Sequence, residues 1–376
     1  MSFSEKELFR YSRHFILPEI GTAGQQKLKN SKVLIVGAGG LGSPVLLYLA
    51  AAGIGTLGIV DDDVVEESNL QRQVLFDTND LQQSKAFVAA EKVRALNPHV
   101  KVLPLNVRLT SQNALEILAP YDIVIDGTDN FPTRYLVNDA CVLLDKVNIY
   151  GSIFRFEGQV SVFNAARKEG GRGPNYRDLF PSPPPPGMVP SCAEGGVLGV
   201  LPGIIGTMQA NEAIKLITGA GEVLDGKLLL VDAMSMETRK VTIRVSGARN
   251  NITSLIDYEQ FCNRHDPQTP TIREISVSEY KKLRDTGNPH LLIDIRESWE
   301  HELVNIGGLN TAPHQLVEVL KNLEDDRKVI VYCRSGKRSA NAIREAGKSL
   351  EIDHIYNLKG GVLAWIAEID PSLPTY

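Results

Sequence analysis

Two groups of residues in this 376-residue chain have types and spacings suited to chemistry, and they lie far apart in the sequence. The first is the glycine-rich stretch GAGGLG, which begins at Gly37 and follows the apolar run KVLIV. The second is YCRSGKRS, in which Cys333 follows an apolar run and precedes a stretch with helical spacing. The first pattern indicates phosphate binding, and the second indicates a reactive thiol.

The phosphate signal comes from Gly37, Gly39 and Gly42, which have the spacing G-x-G-x-x-G directly after a predicted strand. Glycines here let the backbone approach a phosphate group, and the amino end of the following helix favours its negative charge. Asp61 ends the next predicted strand, where an aspartate can bind ribose hydroxyls. The pattern predicts a nucleotide site, and by itself it does not choose between NAD and ATP.

The stretch after Cys333 is basic and contains a glycine, so we expect a loop between a strand and a helix. Backbone N–H groups of such a loop converge on one point, and with the helix dipole and nearby cations they stabilise a thiolate or persulfide anion. A tyrosine-phosphatase loop is the competing interpretation, but it needs an arginine where this chain has Ser339. The shorter loop also leaves less room for a tetrahedral phosphate. The predicted persulfide loop consists of Cys333, Arg334, Ser335, Gly336, Lys337 and Arg338.

The glycine-rich stretch lies in a region, residues 32–126, where short apolar runs alternate with longer helical stretches. Predicted strands (KVLIV, TLGIV, KVLPL, DIVID) and helices (SKAFVAAEKVRAL, SQNALEILA) follow in the order of a doubly wound α/β sheet. Further strands are predicted at VNIYGSIF, GQVSVFN, KLLLVDA and RKVTIRV, with a helix in GVLGVLPGIIGTMQANEAIKLITG. Between them, NAARKEGGRGPNYRDLFPSPPPPGMVPS has no periodicity and predicts a long mobile loop.

The cysteine loop lies in a second alternating region, residues 272–376. Helices are predicted at SVSEYKKLRD, LVEVLKNL and SANAIREAGKSL, and strands at HLLIDIR, KVIVYC and HIYNL. The polar stretch before this region contains two prolines and predicts a linker. We therefore expect two α/β domains, residues 1–247 and 272–376, joined by a linker over residues 248–271.

Composition limits the possible functions. A net charge of −5 and a pI near 5.9 give no general reason to bind nucleic acid or a membrane surface. The charged amino terminus lacks the apolar core of a signal peptide, and GAGGLG would interrupt a membrane helix in the uncharged run 33–60. The four cysteines form no C-x-x-C pair, which favours free thiols in a reducing compartment. We expect a cytoplasmic protein with no membrane or nucleic-acid partner.

Several motifs of the first domain occur in one order: RYSRH, GAGGLG, SNLQRQ, TDN and EGQVSVF. With these motifs, residues 5–245 resemble the MoeB/ThiF family, relatives of the ubiquitin-activating enzymes. The resemblance implies a Rossmann-like adenylation domain that uses ATP and Mg²⁺ and works as a homodimer. It implies a cofactor-binding set of Gly37, Gly39, Gly40, Gly42, Asp61, Asp63, Ser68, Asn69, Leu70, Gln71, Arg72, Lys85, Asp129 and Asn130.

The charges in this set suit adenylation. A carboxylate that attacks an α-phosphate needs cations around the pentavalent centre and the leaving pyrophosphate, and a metal held by an acid. A hydride-transfer enzyme does not need that basic set. The resemblance implies phosphate binding by Asn69, Arg72, Lys85 and, across the dimer interface, Arg13; ribose binding by Asp61; Mg²⁺ binding by Asp129; and a position beside the nucleotide for Asn130.

Cys192, in VPSCAEGGV, follows the proline-rich loop and precedes a glycine-rich helix start. A thiol near a helix amino terminus can have a lowered pKa, which suits a nucleophile. The resemblance implies that Cys192 takes the activated acyl group as a thioester or joins a disulfide-linked intermediate; a small residue packed at the base of the loop is the alternative. We expect Cys141 to lie in the core and Cys262 to have a structural or incidental role.

A departure from the family concerns zinc. Many of its members hold a structural zinc ion with two C-x-x-C pairs. At the first of these places the chain has Asn175 and Asp178, and at the second SGARNN leads straight into the linker. A structural zinc site needs about four Cys or His ligands, so we predict that the chain has no zinc site.

Residues 272–374 resemble rhodaneses, whose active loop has six residues. Besides the loop, the matching features are LLIDIRESWE, with Asp294 and Arg296, and LKGGVLAW, with Gly360, Gly361 and Trp365. Because Gly360 and Gly361 lie inside the chain, they predict a turn and not a tail for activation. An inactive rhodanese-like scaffold is the alternative, which the intact cysteine and basic loop do not favour.

Together, the resemblances imply a fused adenylyltransferase and sulfurtransferase that acts on a small ubiquitin-like sulfur carrier ending in Gly-Gly. The persulfide donor would be a cysteine desulfurase or thiosulfate. Molybdopterin, thiamine and tRNA-thiolation pathways all use this chemistry. Two other functions stay open, an NAD-dependent oxidoreductase with a sulfur-handling domain and a non-catalytic carrier-binding adaptor. The candidate catalytic residues are Cys333, Cys192, Arg13, Arg72 and Asp129.

Overall fold

A computed structural model describes residues 3–167, 170–184, 195–262, 272–323 and 327–376. The described residues fall into two compact units, the first ending at residue 262 and the second beginning at residue 272. Three parts of the predictions lie outside the described residues: Cys192, residues 263–271 of the predicted linker, and residues 168–169 and 185–191 of the predicted mobile loop.

The first unit contains an eight-stranded sheet with the order β3-β2-β1-β4-β5-β6-β7-β8. Strands β1 to β5 are parallel, and β6, β7 and β8 add to one edge as antiparallel strands. All eight predicted strands are confirmed. Their bounds are β1 Lys32–Val36, β2 Thr56–Val60, β3 Lys101–Leu105, β4 Ile123–Asp126, β5 Val147–Phe154, β6 Glu157–Phe163, β7 Lys227–Asp232 and β8 Thr238–Thr242.

Helices cover both faces of this sheet, which explains why the central strands are continuous apolar runs. One face buries residues of α3, α4, α5 and α9, and the other buries residues of α6, α7, α8 and α10. The doubly wound α/β prediction is confirmed. The helices are α1 Glu5–Arg10, α2 Ser12–Phe15, α3 Gly21–Asn30, α4 Gly42–Ala52, α5 Lys85–Leu96, α6 Ala114–Leu118, α7 Phe131–Leu143, α8 Tyr176–Leu179, α9 Leu201–Thr218 and α10 Tyr258–Cys262.

The predicted mobile loop is partly ordered, which differs from our expectation. Asn175 caps α8 by accepting the Arg177 N–H at 2.9 Å, and Tyr176 is buried against the rings of Tyr135 and Tyr150. A single buried aromatic residue and a cap are enough to anchor a short helix, although neither produces a periodic pattern. The prediction was wrong for residues 174–180.

The structure also differs from the predicted linker at the beginning of that segment. Residues 248–262 belong to the first unit, because Tyr258, Phe261 and Cys262 place one apolar face of α10 against α7. The Tyr258 hydroxyl also donates to Asp139 Oδ2 at 2.8 Å. The sequence of this stretch is polar overall, and its short apolar face was overlooked. Cys141 is buried in the core on this side of the sheet, as expected, and Cys262 is buried in the same core.

The second unit contains a five-stranded parallel sheet with the order β11-β10-β12-β13-β9. Apolar clusters lie on both of its faces. Its strands are β9 Arg273–Ile275, β10 His290–Asp294, β11 Leu309–Asn310, β12 Lys328–Tyr332 and β13 Ile355–Leu358. Its helices are α11 Val277–Asp285, α12 Ser298–Leu303, α13 Leu316–Lys321, α14 Lys337–Ala346 and α15 Gly361–Glu368.

The uncharged run 33–60 forms β1, α4 and β2, as predicted, and not one continuous helix. Among the described residues, no helix combines the length and the apolar character that crossing a membrane requires.

Candidate functional site

A cavity of about 350 Å³ lies at the carboxyl ends of β1, β2 and β4. The strand order reverses between β1 and β4, which is where open α/β sheets bind their ligands. A Cβ atom on Gly42 would lie 2.0 Å from the Gly37 carbonyl oxygen, so only glycine lets α4 begin this close to the loop after β1. Of the predicted cofactor-binding residues, the cavity is lined by Gly37, Gly39, Gly40, Asp61, Asp63, Arg72, Lys85, Asp129 and Asn130.

Asp61 joins two loops at this cavity. Its carboxylate accepts the Ala38 N–H at 2.7 Å and the Asp63 N–H at 2.9 Å. Burial raises the pKa of Asp61. The two backbone N–H groups leave further acceptor positions on the carboxylate, so Asp61 can also accept hydroxyl donors.

The cavity carries several cations. Lys85 is almost fully buried, and its Nζ pairs with Asp63 Oδ2 at 2.9 Å. Arg72 Nη1 donates to the Ser68 carbonyl oxygen at 3.0 Å, which ties this side chain to the turn that precedes it. Such cations at the end of a sheet suit a polyphosphate, because their charge offsets that of the ligand.

Arg134 and Gln73 are among the lining residues that were not predicted. Both side chains are buried, and no described residue satisfies Arg134 Nε or Gln73 Oε1. Arg134 Nη2 donates to the Thr128 carbonyl oxygen at 3.0 Å, which aims this guanidinium at the loop after β4. Gln73 ends the SNLQRQ motif, and Arg134 lies four residues after the TDN motif, so proximity to these motifs was the available signal.

The acid predicted to hold Mg²⁺, Asp129, is exposed at the cavity, two residues before the start of α7. Asn130 caps that helix by accepting the Thr133 N–H at 2.9 Å. Asp129 has no hydrogen bond or ion pair with another described residue. A carboxylate of this kind, on the rim of a cation-lined cavity, fits a Mg²⁺ ion that keeps waters and binds phosphates.

Several predicted residues do not line the cavity within the described part of the chain. Arg13 is exposed on α2. Asn69 is buried and accepts the Glu66 N–H at 3.3 Å within a 3₁₀ turn, and Gln71 Nε2 donates to the Val197 carbonyl oxygen at 3.5 Å. Asn69 and Gln71 therefore stabilise the turn that presents Arg72. The predicted residues outside the lining are Arg13, Gly42, Ser68, Asn69, Leu70 and Gln71.

In the second unit, Cys333 follows β12 directly, and α14 begins four residues later, with Gly336 as its cap. The predicted strand–loop–helix is confirmed. A Cβ atom on Gly361 would lie 2.3 Å from the Cys333 carbonyl oxygen, and its φ is +59°. The glycine pair therefore forms a turn that packs against the cysteine loop, as predicted.

The side chain of Cys333, which the sequence indicates as a reactive thiol, is fully buried. Its Sγ accepts hydrogen bonds at 3.4 Å from the N–H and from the hydroxyl of Ser339, at the start of α14. The Ser339 hydroxyl also lies 2.6 Å from Asn357 Oδ1. Ser339 lies one position beyond the predicted persulfide loop and was not predicted.

The arginines of the persulfide loop contact other groups than Cys333 Sγ. Arg338 donates to both carboxylate oxygens of Glu300, at 2.8 and 2.6 Å. Burial raises the pKa of the Glu300 carboxyl, but Arg338 outweighs this effect, so the pKa lies below its usual value. Arg334 Nε donates to the main-chain oxygen of Tyr376 at 2.8 Å. The loop cations thus hold the loop in place.

The rhodanese-like motif LLIDIRESWE supplies the support beneath this loop. Arg296 is buried and pairs with Asp294, with Nη2 and Oδ2 2.6 Å apart. Burial raises the pKa of Asp294, but hydrogen bonds from Arg296 and His301 outweigh it and the pKa is lowered. A buried charge pair that is fully hydrogen-bonded rigidifies its surroundings. These residues therefore act on the loop through Glu300, which was not predicted.

The sequence model described as the ThiF family matches residues 11–251. The chain belongs to the ThiF family. The model described as a rhodanese-like domain matches residues 276–368, so the cavity lies in a ThiF domain and Cys333 in a rhodanese-like domain.

Curated relatives share both domains. The probable adenylyltransferase/sulfurtransferase MoeZ of Mycobacterium tuberculosis is 48% identical over 100% of this chain and 97% of its own length. The adenylyltransferase and sulfurtransferase MOCS3 of Drosophila sechellia is 44% identical over 98% of this chain and 85% of its own. The sulfur carrier protein adenylyltransferase of Thermus thermophilus is 54% identical over 70% of this chain and 99% of its own. This ThiF-family protein is thus an adenylyltransferase and sulfurtransferase enzyme.

Solved structures show the same fold. Escherichia coli MccB, in a crystal structure with ATP, matches 65% of this chain and 80% of its own with a TM-score of 0.53 and 20% identity. PaaA matches 64% of this chain and 75% of its own with a TM-score of 0.53 and 25% identity. The adenylation-domain fold is confirmed.

In this ThiF domain, a carboxylate joins the two segments at which the resemblance led us to look for C-x-x-C pairs. Asp178 Oδ1 accepts the N–H and the hydroxyl of Ser246, at 2.7 and 2.6 Å, and its Oδ2 accepts the N–H of Asn175 at 2.8 Å. No cluster of three His, Cys, Asp or Glu side chains that could hold a metal ion occurs in the part of the chain that the structure describes. That the protein needs no zinc stays a prediction.

Proposed function

We propose that this enzyme adenylates the C-terminal glycine of a small ubiquitin-like sulfur carrier in its ThiF domain and sulfurates the activated carbonyl from a persulfide on Cys333. The observation that supports this most is one chain with a cation-lined cavity and an intact cysteine loop. A relative named as a sulfur carrier protein adenylyltransferase points to the class of substrate. The product would be a carrier with a C-terminal thiocarboxylate.

In the first step, ATP would bind with its phosphates against the loop of Gly37, Gly39 and Gly40, and its ribose on Asp61. Backbone N–H groups near the start of α4 and the helix dipole favour the phosphates. Asn69 would support the phosphate side through the turn that presents Arg72, since it lies in that turn and outside the cavity lining.

Adenylation joins a carboxylate oxygen of the carrier glycine to the α-phosphorus, and pyrophosphate leaves with the electron pair of the broken P–O bond. Arg72 and Lys85 would offset the negative charge on the phosphates, with Lys85 exchanging Asp63 for a phosphate oxygen. Arg13 would add a further cation from the partner subunit of a homodimer. A Mg²⁺ ion held by Asp129 would supply additional positive charge to the phosphates.

Sulfur transfer then uses the acyl-adenylate as the electrophile. The terminal sulfur of the Cys333 persulfide attacks the carbonyl carbon, and AMP leaves with the electron pair of the carbon–oxygen bond. A thiol must next attack the sulfur–sulfur bond, releasing the thiocarboxylate and leaving a disulfide on Cys333. Cys192 would be that thiol, or the acceptor of the acyl group as a thioester. The persulfide itself would come from a cysteine desulfurase or from thiosulfate.

The experiment that tests the function mixes the full chain with ATP, Mg²⁺, a sulfur donor and candidate carrier proteins from the molybdopterin, thiamine and tRNA-thiolation pathways. The carrier's intact mass should rise by the exchange of one oxygen for sulfur, with AMP and pyrophosphate released. A carrier whose last glycine is deleted is the control and should stay unchanged.

Two outcomes would contradict the proposal. Nicotinamide binding without carrier-dependent pyrophosphate exchange would favour an oxidoreductase, an alternative that the names of the relatives do not favour. Pyrophosphate exchange without a thiocarboxylate on any carrier would mean that adenylation serves another end.

A further inference from the structure

A buried asparagine, Asn357, lies beside the cysteine loop on β13, a strand whose other residues are apolar or aromatic. Only 2% of its surface is exposed. Its strand neighbours Ile355 and Leu358 belong to the apolar clusters of this domain. Burying an amide costs free energy unless its hydrogen bonds are satisfied, so the partners of Asn357 show what this residue does.

The first partner fixes how the amide is turned. Asn357 Nδ2 donates to Glu274 Oε1 at 3.2 Å, and Glu274 lies on the neighbouring strand β9. An ionised carboxylate only accepts hydrogen bonds, so the amide must present its nitrogen to Glu274. Its oxygen then faces Ser339, whose hydroxyl lies 2.6 Å from Asn357 Oδ1. The exposed Glu274 thus sets the orientation of a buried amide.

The second partner, the Ser339 hydroxyl, has three acceptors within reach. They are Asn357 Oδ1 at 2.6 Å, the Gly336 carbonyl oxygen at 3.1 Å and Cys333 Sγ at 3.4 Å. A hydroxyl carries one proton, so these acceptors compete for it. While Cys333 is a neutral thiol, Asn357 holds the hydroxyl proton at the shortest distance, and the S–H group can donate to the Ser339 oxygen.

A sulfur anion at Cys333 changes this competition. In the part of the chain that the structure describes, both hydrogen bonds to Cys333 Sγ come from Ser339, one from its N–H and one from its hydroxyl. A hydrogen bond to a charged group is stronger than one between neutral groups. The hydroxyl therefore turns towards the anion, and Asn357 Oδ1 loses its donor in a buried site. That loss opposes formation of the thiolate.

We propose that Asn357 is a positioning residue of the sulfur-transfer reaction, which competes with Cys333 for the Ser339 hydroxyl proton and thereby restrains thiolate formation. The inference rests on the proposed role of Cys333. No proton leaves Ser339, because the hydroxyl only rotates from one acceptor to the other. Since oxidation of a cysteine follows its thiolate character, this restraint protects the thiol while it carries no sulfur.

The test uses two substitutions, each made with and without the Ser339 hydroxyl. Asn357→Leu replaces the amide oxygen and nitrogen by methyl groups in nearly the same places. Glu274→Gln leaves the core intact and frees the amide to turn. Both are combined with Ser339→Ala. Tyr356→Phe is the matched control, because this next residue of β13 points to the opposite face of the sheet and its hydroxyl accepts from Arg273 at 3.4 Å.

The quantity measured is the ratio of thiolate to thiol at Cys333 in the full chain. It is obtained at one fixed pH from the ultraviolet absorbance of the thiolate, after subtraction of the same variant carrying Cys333→Ala. Arg338, whose charge interacts with that of Cys333, and its partner Glu300 are the same in every variant.

For Asn357→Leu we expect the ratio to rise about fivefold, because the competing acceptor is lost. Glu274→Gln should raise it about threefold, since the amide can then turn its nitrogen to Ser339. Ser339→Ala should lower the ratio about tenfold, because the thiolate loses a hydrogen bond. In the Ser339→Ala background, neither substitution should change the ratio further. Tyr356→Phe should match the wild type.

The inference is overturned if Asn357→Leu lowers the ratio or leaves it within about twofold of the wild type. It is also overturned if the substitution changes the ratio equally with and without the Ser339 hydroxyl, as a merely structural residue would. If Asn357→Leu does not fold, Glu274→Gln decides by the same comparison. Failure of the proposed function looks different, since the wild type would then form no persulfide with thiosulfate, while the ratio is measured without any sulfur donor.

Discussion

In the ThiF cavity, Arg134 and Gln73 are buried with polar atoms that no described residue satisfies, whereas Arg334 and Arg338 of the persulfide loop each hold an oxygen of their own domain. The cavity therefore leaves hydrogen-bonding groups and positive charge available to a ligand. In the persulfide loop, a substrate that binds Arg334 or Arg338 must displace an oxygen that the arginine already contacts. We call the ThiF cavity the open region, because its cations are available to an anionic ligand. We call the persulfide loop the closed region, because its two arginines already contact oxygens of their own domain.

The largest expected effect separates the two regions by function. Asp129→Asn should lower carrier-dependent pyrophosphate exchange by about 10²–10³-fold, because charge stabilisation at the phosphates is lost. Cys333→Ala should abolish persulfide formation from thiosulfate. Each variant is the control for the other, since each should keep the activity that the other loses. Loss of both activities in either variant would contradict the division between the regions.

A second prediction sharpens the description of the open cavity. Arg72→Ala should reduce pyrophosphate exchange about ten- to hundredfold, because one charge-assisted contact to phosphate disappears. Its thermal midpoint should stay close to that of the wild type, since this side chain is partly exposed. Arg239→Ala, on the exposed strand β8, is the matched control and should keep full activity. An unchanged exchange rate in Arg72→Ala would remove this residue from the phosphate site.

A third prediction tests the closed region through pH. The pKa of Glu300 in the folded protein lies below its usual value of 4.5, so the stability that this carboxylate contributes is present above that value and is lost as the pH falls through the lowered pKa. Glu300→Gln should cost about 3 kcal/mol at neutral pH, because Arg338 loses a buried partner. The difference from the wild type should shrink on acidification, as measured by thermal unfolding between neutral and strongly acidic pH. A pH-independent difference would mean that the Glu300 charge does not hold the loop.

The smallest expected effect concerns the hydrogen bonds by which Asp178 joins Asn175 and Ser246. Asp178→Ala should lower the free energy of unfolding by about 1–3 kcal/mol in urea denaturation, and Ser246→Ala by less, because it removes one of the bonds that Asp178 accepts. A metal chelator should leave the unfolding midpoint of the wild type unchanged. A drop with chelator would contradict the prediction that the protein needs no zinc.

Much of the fold could be predicted because strands and helices follow local hydrophobic periodicity. The eight strands of the first sheet and the strand–loop–helix around Cys333 were identified in this way. Segments held by one or two buried aromatic residues were not, as Tyr176 in α8 and Tyr258 in α10 show. A single buried side chain leaves no periodic pattern in the sequence.

The residues of the candidate sites were also predicted only in part. Motif spacing brought Gly37, Asp61, Lys85 and Asp129 to one cavity, because parallel strands end at the same edge of a sheet. Neighbouring motif residues such as Asn69 turned out to support the turn and not to line the cavity.

By itself, the sequence determined the chemistry of this protein: a nucleotide loop with acids and cations, and a thiol at the start of a helix, because these depend on residue types at short spacings. Tertiary structure decided how those groups are held. It paired Arg338 with Glu300, placed Tyr376 on Arg334 and buried Cys333. These partners lie 38 to 42 positions apart in the chain, and contacts at such separations depend on how the elements pack.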